Sequence, residues 1–284
     1  MTKIAIVTGA SSGIGEATAE LLTRSGYTVY GTSRRGGAGA GHAARPLEML
    51  ALDVTSDDSV AALVAEVMRR HGRIDLLVNN AGLGVAPAAA QESSIEQGQA
   101  LFDTNFFGIV RMTRAVVPQM RRQGEGRIIN ISSVLGFVSM PYAALYCATK
   151  HAVEGYSESL DQELRTLGVR VSLIEPAYIK TPFDANQLQP DLPLPEYRQA
   201  RATLAATVTA AVERADGPEV VAATVLKAAL DRHPKVRYTA GALAGRLRLL
   251  RRFAPAALME AGIRKDMRLD VQPPVGPVAA VPGF

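Results

Sequence analysis

Short apolar runs recur along this chain and alternate with longer stretches whose apolar positions fall every three or four residues. The runs at residues 4–8, 28–32, 49–52, 76–79, 127–131, 170–175 and about 236–238 have strand character. They are almost unbroken in apolar character, as expected of strands covered on both faces of a sheet. A helical period runs over residues 13–25, 56–71, 101–122, 146–167 and 218–232. This alternation predicts an α/β fold, a doubly wound parallel sheet with right-handed crossovers. Ligands of such sheets bind beyond the carboxyl ends of the strands.

Several stretches fall outside the alternation. Residues 36–41 are mostly glycine and read as a flexible loop after the second strand. Residues 182–195 are rich in proline and polar side chains and lead into an alanine-rich helical segment; residues 182–207 together are expected to form a lid. From 241 to 271, Leu243, Leu247 and Leu250 recur at helical spacing with Arg246, Arg248, Arg251 and Arg252 between them. This amphipathic extension packs beside the substrate entrance or a partner subunit, or else lies on a membrane surface. Residues 272–284 carry four prolines and few charges, and read as a disordered tail.

Composition narrows the class. At 284 residues, 48% apolar and 20% charged, the chain can bury a sizeable single core. The one cysteine, Cys147, excludes an internal disulfide and fits a reducing, cytoplasmic compartment. No uncharged apolar stretch reaches the ~18 residues of a spanning helix, and a strand begins too early to leave room for a signal peptide. Net charge is +4, without the interleaved aromatic and basic residues of a nucleic-acid surface. His42, His71, His151 and His233 are scattered and show no metal-ligand spacing.

Two motifs carry chemistry. The first strand runs into Gly9-Ala10-Ser11-Ser12-Gly13-Ile14-Gly15, and a helix follows. Glycines here let the backbone approach a pyrophosphate, and the helix N-terminus supplies N–H groups and a favourable dipole. Farther on, Tyr146 and Lys150 lie four apart on one helix face. A phenol ionises near ~10, and a nearby ammonium lowers that value, so the pair can trade protons near neutrality.

Together these segments resemble the short-chain dehydrogenase/reductase family over about residues 3–240. Thr8–Gly15 resembles its cofactor turn, and Asn79-Asn80-Ala81-Gly82 the motif that ends its fourth strand. Asn105 falls at the family's catalytic asparagine, and Ser133 lies thirteen residues before Tyr146, the family's usual interval. The resemblance implies a Rossmann-like fold, with residues 1–240 as a dinucleotide-binding catalytic domain. It implies that Ser133, rather than Ser132, donates a hydrogen bond to the substrate oxygen, and that Tyr146 is the proton donor and acceptor. Lys150 would depress the tyrosine pKa and bond the nicotinamide ribose. Asn105 would hold a water linking Lys150 to solvent, or be a buried amide bridging backbone. Dimer interfaces in relatives form at helices matching 101–122 and 146–167, so a homodimer or homotetramer is expected.

The cofactor set expected from these matches is Gly9, Ser11, Gly13, Ile14, Gly15, Arg34, Asp53, Val54, Asn80, Ala81, Gly82, Tyr146, Lys150, Pro176, Ile179 and Thr181. An NAD enzyme of this fold usually has an acid after its second strand to bond the ribose. Here Ser33 holds that position and Arg34 follows, which favours NADP(H) through a guanidinium on the 2′-phosphate. Asp53 resembles the adenine contact, or caps the helix near Ser56. Pro176-Ala177-Tyr178-Ile179-Lys180-Thr181 resembles the nicotinamide loop, with Ala177 in place of a glycine. If that position needs a positive φ, alanine there is strained. Val134, Leu135, Phe137, Met140, Tyr142 and the lid are expected to line an apolar substrate wall. The substrate is then a hydrophobic ketone or secondary alcohol, and the chain resembles the hydroxysteroid- and retinol-dehydrogenase-like branch, partly through Val29-Tyr30-Gly31-Thr32-Ser33-Arg34 and its long C-terminus. A 3-oxoacyl-thioester reductase and a non-catalytic dinucleotide sensor are the alternatives.

Overall fold

The computed structural model describes residues 2–36, 47–183 and 186–269. The glycine-rich loop beyond Gly36 and the stretch from 272 onward, expected as flexible loop and tail, lie outside the described residues. The described elements are β1 (Ile4–Val7), α1 (Gly13–Arg24), β2 (Thr28–Ser33), β3 (Glu48–Ala51), α2 (Asp57–His71), β4 (Leu76–Asn79), α3 (Ile95–Phe102), α4 (Gly108–Gln123), β5 (Gly126–Ile131), α5 (Ala144–Leu164), β6 (Val169–Pro176), α6 (Arg198–Glu213), α7 (Pro218–Leu230), β7 (Arg237–Ala240), α8 (Ala242–Phe253) and α9 (Ala256–Asp266).

The strands form one sheet in the order β3-β2-β1-β4-β5-β6-β7, and every pairing is parallel. β1 and β4 are buried at every position, because each has a neighbour on both sides and helices on both faces. On one face Ala5, Val7, Val78 and Ile129 pack against α1 and α7 through Leu22, Val221 and Val225. On the other, Ile4, Ile6, Leu77 and Ile128 meet α2 and α4 through Leu63, Val67, Met112 and Val116. The chain adds β2 and β3 on one side of β1 and crosses after β3 to add β4 on the other, so the crevice at this reversal opens at the carboxyl ends of β1 and β4.

Two helices differ from the sequence expectation. The helix expected from residue 101 begins at Ile95, where the Ser94 hydroxyl accepts from Gln97 N (3.0 Å), and runs through a π-turn at Asp103–Phe107 into α4. The extension expected as one helix is two. Ala254 precedes Pro255 and takes an extended conformation (ψ 141°), since proline disfavours a helical residue before it. Among the described residues, no helix is long and apolar enough to cross a membrane.

Candidate active site

The turn after β1 needs its glycines. Gly9 and Gly13 have φ of 66° and 57°, a region side chains avoid, and a Cβ on Gly9 would lie 2.9 Å from Ala81 Cα. Gly15 sits in the first turn of α1, where a Cβ would come within 2.5 Å of Asn80 Nδ2. The turn is braced from β4: Asn80 Nδ2 donates to the carbonyls of Thr8 (2.9 Å) and Gly9 (3.1 Å). Thr8 Oγ1 accepts from Asn80 N (2.9 Å) and Ala81 N (3.0 Å). Asn80 therefore holds the turn's shape, while Ser11 is exposed and Ser12 precedes α1 without a side-chain cap bond. A glycine-punctuated turn at a helix N-terminus fits a dinucleotide pyrophosphate.

On α5, Lys150 is buried, and its Nζ donates to the carbonyl of Ile131 at the end of β5 (2.9 Å). The same Nζ lies 5.6 Å from the centre of the Tyr146 ring. Burial pushes the ammonium down to about 8, against the charge of Glu154 one turn further on. The helix is registered on the sheet by a buried chain: Asn79 Nδ2 to Asn130 Oδ1 (2.8 Å), Asn130 Nδ2 to Ser157 Oγ (2.8 Å) and Ser157 Oγ to the Val153 carbonyl (2.7 Å). Ser133 follows β5 and its Oγ accepts from Leu135 N (3.1 Å). This turn-capping bond uses a lone pair and leaves the hydroxyl hydrogen to donate. The turn packs directly on α5 because its third residue is Gly136, where a Cβ would be 2.8 Å from Glu154 Cγ and 2.9 Å from Ser132 Oγ. Ser132 Oγ thus lies on the Glu154 side, buried and without a partner.

Asn105 lies in the π-turn and is buried. Its Oδ1 accepts from Leu83 N (2.7 Å), and its Nδ2 donates to the Leu83 carbonyl (2.9 Å) and to Thr149 Oγ1 (3.3 Å). The side chain bridges the loop after β4 to α5, the structural role left open above. Gly82 abuts the same oxygen, 3.3 Å from where its Cβ would be.

At the outer end of the crevice Arg34 and Arg35 are exposed in the turn after β2. Asp53 does not cap α2; Ser56 does, accepting from Ser59 N. Asp53 Oδ1 instead accepts from Thr55 Oγ1 (2.7 Å) and Thr55 N (2.9 Å). These bonds, and more weakly Arg34 and Arg111, hold its carboxyl below the usual range. Val54 beside it is buried under Gly108. At the inner end, Pro176 closes β6 and Ile179 is buried in an isolated bridge to Asp216. Ala177 is not among the positive-φ residues, so the missing glycine costs no strain there. Thr181 packs on Gly13, 3.1 Å from where a Cβ would sit, which brings the two cofactor loops together.

The lid is stitched down rather than free. Leu188 pairs with Gly84 and Ala86 (2.8 and 2.9 Å), and buried Glu92 accepts from Leu194 N (2.8 Å) and pairs with Arg201. Phe183 lies 6.1 Å from the Tyr146 ring, and the Tyr178 hydroxyl reaches Met140 Sδ (3.7 Å). Tyr142, at a φ of 61°, is held by Ala88 N and by the Tyr197 ring. The Phe137 ring, expected in this wall, lies 4.9 Å under the Arg248 guanidinium.

Sequence reasoning missed the charges behind the site. Glu154 and Glu175 are buried beside Arg237 and Arg248, with Arg237 on Glu154 (2.9 Å) and Arg248 on Glu175 (2.8 Å). Burial, and then the Glu154 charge, push Glu175 up to about 7. The available signals were a glutamate four residues after Lys150 and a carboxylate inside an apolar strand run. Since the Glu154 charge supports the Lys150 ammonium, Glu154→Gln should lower the lysine pKa. The alkaline limb of kcat/KM for reduction is expected to follow loss of the Lys150 proton and should then move to lower pH. Glu158→Gln, at the exposed end of Arg237, should leave the limb in place; equal shifts would disprove the link.

Comparison with known proteins agrees with this geometry. The short chain dehydrogenase family model matches residues 3–191. A 3-ketodihydrosphingosine reductase of Bacteroides thetaiotaomicron is 42% identical over 185 residues, 65% of this chain and 67% of that protein. The uncharacterized oxidoreductase YusZ of Bacillus subtilis is 34% identical over 93% of this chain and 98% of its own length. Retinol dehydrogenase 8 of Bos taurus is 38% identical over 65% of this chain and 61% of its own. A short-chain dehydrogenase structure from Streptomyces avermitilis superposes with a TM-score of 0.80 at 32% identity, covering 95% of this chain and 97% of that one. Similar structures hold either cofactor. One from Burkholderia cenocepacia is in complex with NADP (TM-score 0.73, 26% identity, 92% and 97% covered), and one from Burkholderia phymatum with NAD (0.74, 26%, 98% and 98%). The fold is that of oxidoreductases built on a sheet that binds nicotinamide dinucleotides. The chain belongs to the short-chain dehydrogenase/reductase family.

Proposed function

We propose that this chain is an NADP(H)-dependent oxidoreductase that interconverts a hydrophobic ketone and its secondary alcohol. The observation that carries the reading is Lys150: a buried ammonium anchored on the Ile131 carbonyl and held over the Tyr146 ring. A buried cation beside a phenol stabilises phenolate, so proton transfer from Tyr146 becomes accessible near neutral pH. When bound, the nicotinamide supplies the hydride. Ser133 donates its free hydroxyl hydrogen to the substrate oxygen, and Tyr146 gives its proton to that oxygen as negative charge builds there. Lys150 offsets the charge left on Tyr146, and Asn105 fixes the loop after β4 against α5. NADP(H) is favoured by exposed Arg34, which directly follows Ser33, the residue standing where an NAD enzyme would carry its acid.

The apolar substrate class is supported by Phe183 beside the Tyr146 ring, by Met140, which meets Cys147 and Tyr178, and by two relatives named for 3-ketodihydrosphingosine and retinol. Cys147, buried and held from ionising by its burial, fits a reducing cytoplasm. A homodimer or homotetramer through α4 and α5 is supported by the exposed Phe107 at the entry to α4. The test is a panel of long-chain ketones, retinaldehyde and 3-oxoacyl thioesters, followed by NADPH absorbance. Turnover of the ketones above the thioesters supports the reading; turnover confined to retinaldehyde changes the substrate to an apolar aldehyde and its primary alcohol, and preference for thioesters replaces it with an acyl-thioester reductase.

A further inference from the structure

α8 leaves the carboxyl end of β7, the sheet edge at which Ser133 and Tyr146 lie. Its inner side carries buried Ala244 and Arg248, which pairs with Glu175 and covers Phe137. Its outer side is mostly apolar, with Arg246 among the apolar side chains. Leu243, Leu249, Leu250 and Phe253 recur at spacings of three, four and seven, which share one helix face. Phe253 is 72% exposed and Leu249 60%, and Leu258, 63% exposed, continues the surface onto α9. An apolar face turned outward marks an interaction surface rather than a core.

The charge around this face says what covers it. Residues 242–269 hold seven Lys or Arg against two acids, whereas the whole chain carries only +4, so the rest of the molecule is slightly acidic. Arg246 lies among the exposed leucines, and the Arg252 guanidinium reaches back over the Phe253 ring (5.4 Å). A second copy of this chain docking here by a two-fold axis would set this basic surface against itself. Protruding leucine and phenylalanine ringed by arginine match instead an interfacial helix on anionic lipid. We propose that the outer face of α8, with the start of α9, docks on an anionic membrane surface. Arg251 Nε, on the inner side, donates to the Phe137 carbonyl (3.0 Å), so the helix that carries the docked face packs on the turn that follows Ser133. An apolar substrate would then reach the site from the bilayer. The docking rests on none of the catalytic roles assigned above.

The chain contains no tryptophan, so Phe253→Trp installs a single fluorescent reporter at an exposed position. The full chain is mixed with vesicles of phosphatidylcholine alone or with about a quarter phosphatidylserine. The expected result is sedimentation with the anionic vesicles and a blue shift of the reporter, each weakened about tenfold or more by high salt. Leu249→Asp with Phe253→Asp should abolish sedimentation while the melting temperature stays unchanged, because both side chains stand clear of the body. Absence of sedimentation with anionic vesicles at low salt overturns the proposal, as does equal binding to phosphatidylcholine alone. A blue shift that grows with protein concentration without vesicles assigns the face to a second copy. Binding that appears only in a chain ending at Leu269 assigns it to residues 270–284.

Discussion

Replacing Tyr146 with phenylalanine is expected to cut turnover by ~10²–10⁴-fold, the usual loss when a general acid is removed. The substitution deletes one oxygen and little bulk. The ring's neighbours, Phe183 at 6.1 Å and the Lys150 ammonium at 5.6 Å, remain in reach. Lys150 keeps its bond to the Ile131 carbonyl, and the glycine turn is braced by Thr8 and Asn80, far from the lost hydroxyl. NADPH affinity, measured by fluorescence titration, should therefore change little while the rate collapses. That split separates a chemical role from a structural one, since a damaged fold would weaken both. A variant that keeps more than about a tenth of the rate with saturating ketone removes Tyr146 from the chemistry.

Arg34→Asp is expected to move the cofactor preference from NADPH towards NADH. The change removes a guanidinium that can pair with the 2′-phosphate and supplies a carboxylate that repels it and can bond a 2′-hydroxyl. A charged hydrogen bond supports roughly 10- to 150-fold in affinity, and the exposure of Arg34 places its loss towards the lower end. Asp53 already lies close enough to feel the Arg34 charge. A second carboxylate at 34 makes the site strongly anionic, so repulsion should add to the lost bond. Arg35→Ala should do less. The measure is the ratio of kcat/KM with the two cofactors at one salt concentration, because exposed charges are screened. An unchanged ratio would leave the arginines as a solvated pair.

What could be read from the residues follows from how local the physics is. β1, β4 and β6 are covered on both faces, so their apolar runs announce themselves. Gly9 and Gly13 sit where only glycine is comfortable, and Tyr146 and Lys150 share a helix face by spacing alone. The start of α3 was hidden because Gly98 and the π-turn at Asp103–Phe107 interrupt its period. Pro255 did mark a break between two helices, but the leucine and arginine pattern ran across it. The direction of Phe137 depends on Arg248, and the Glu154 carboxylate meets Arg237 across a separation of 83 residues. No local pattern reports such contacts. Ala177 is the converse case: its φ is not positive, so alanine stands in the family's glycine position without backbone strain.

The most direct test of the central claim is isotopic. NADPH deuterated at the nicotinamide C4 position is incubated with the protein and a long-chain ketone, and the alcohol is analysed by mass spectrometry and NMR. The account predicts one deuterium on the new carbinol carbon, formed at a rate that Tyr146→Phe lowers by ~10²–10⁴-fold. NADPH that binds without transferring deuterium to any ketone or aldehyde would contradict it and leave a dinucleotide-binding protein without hydride chemistry.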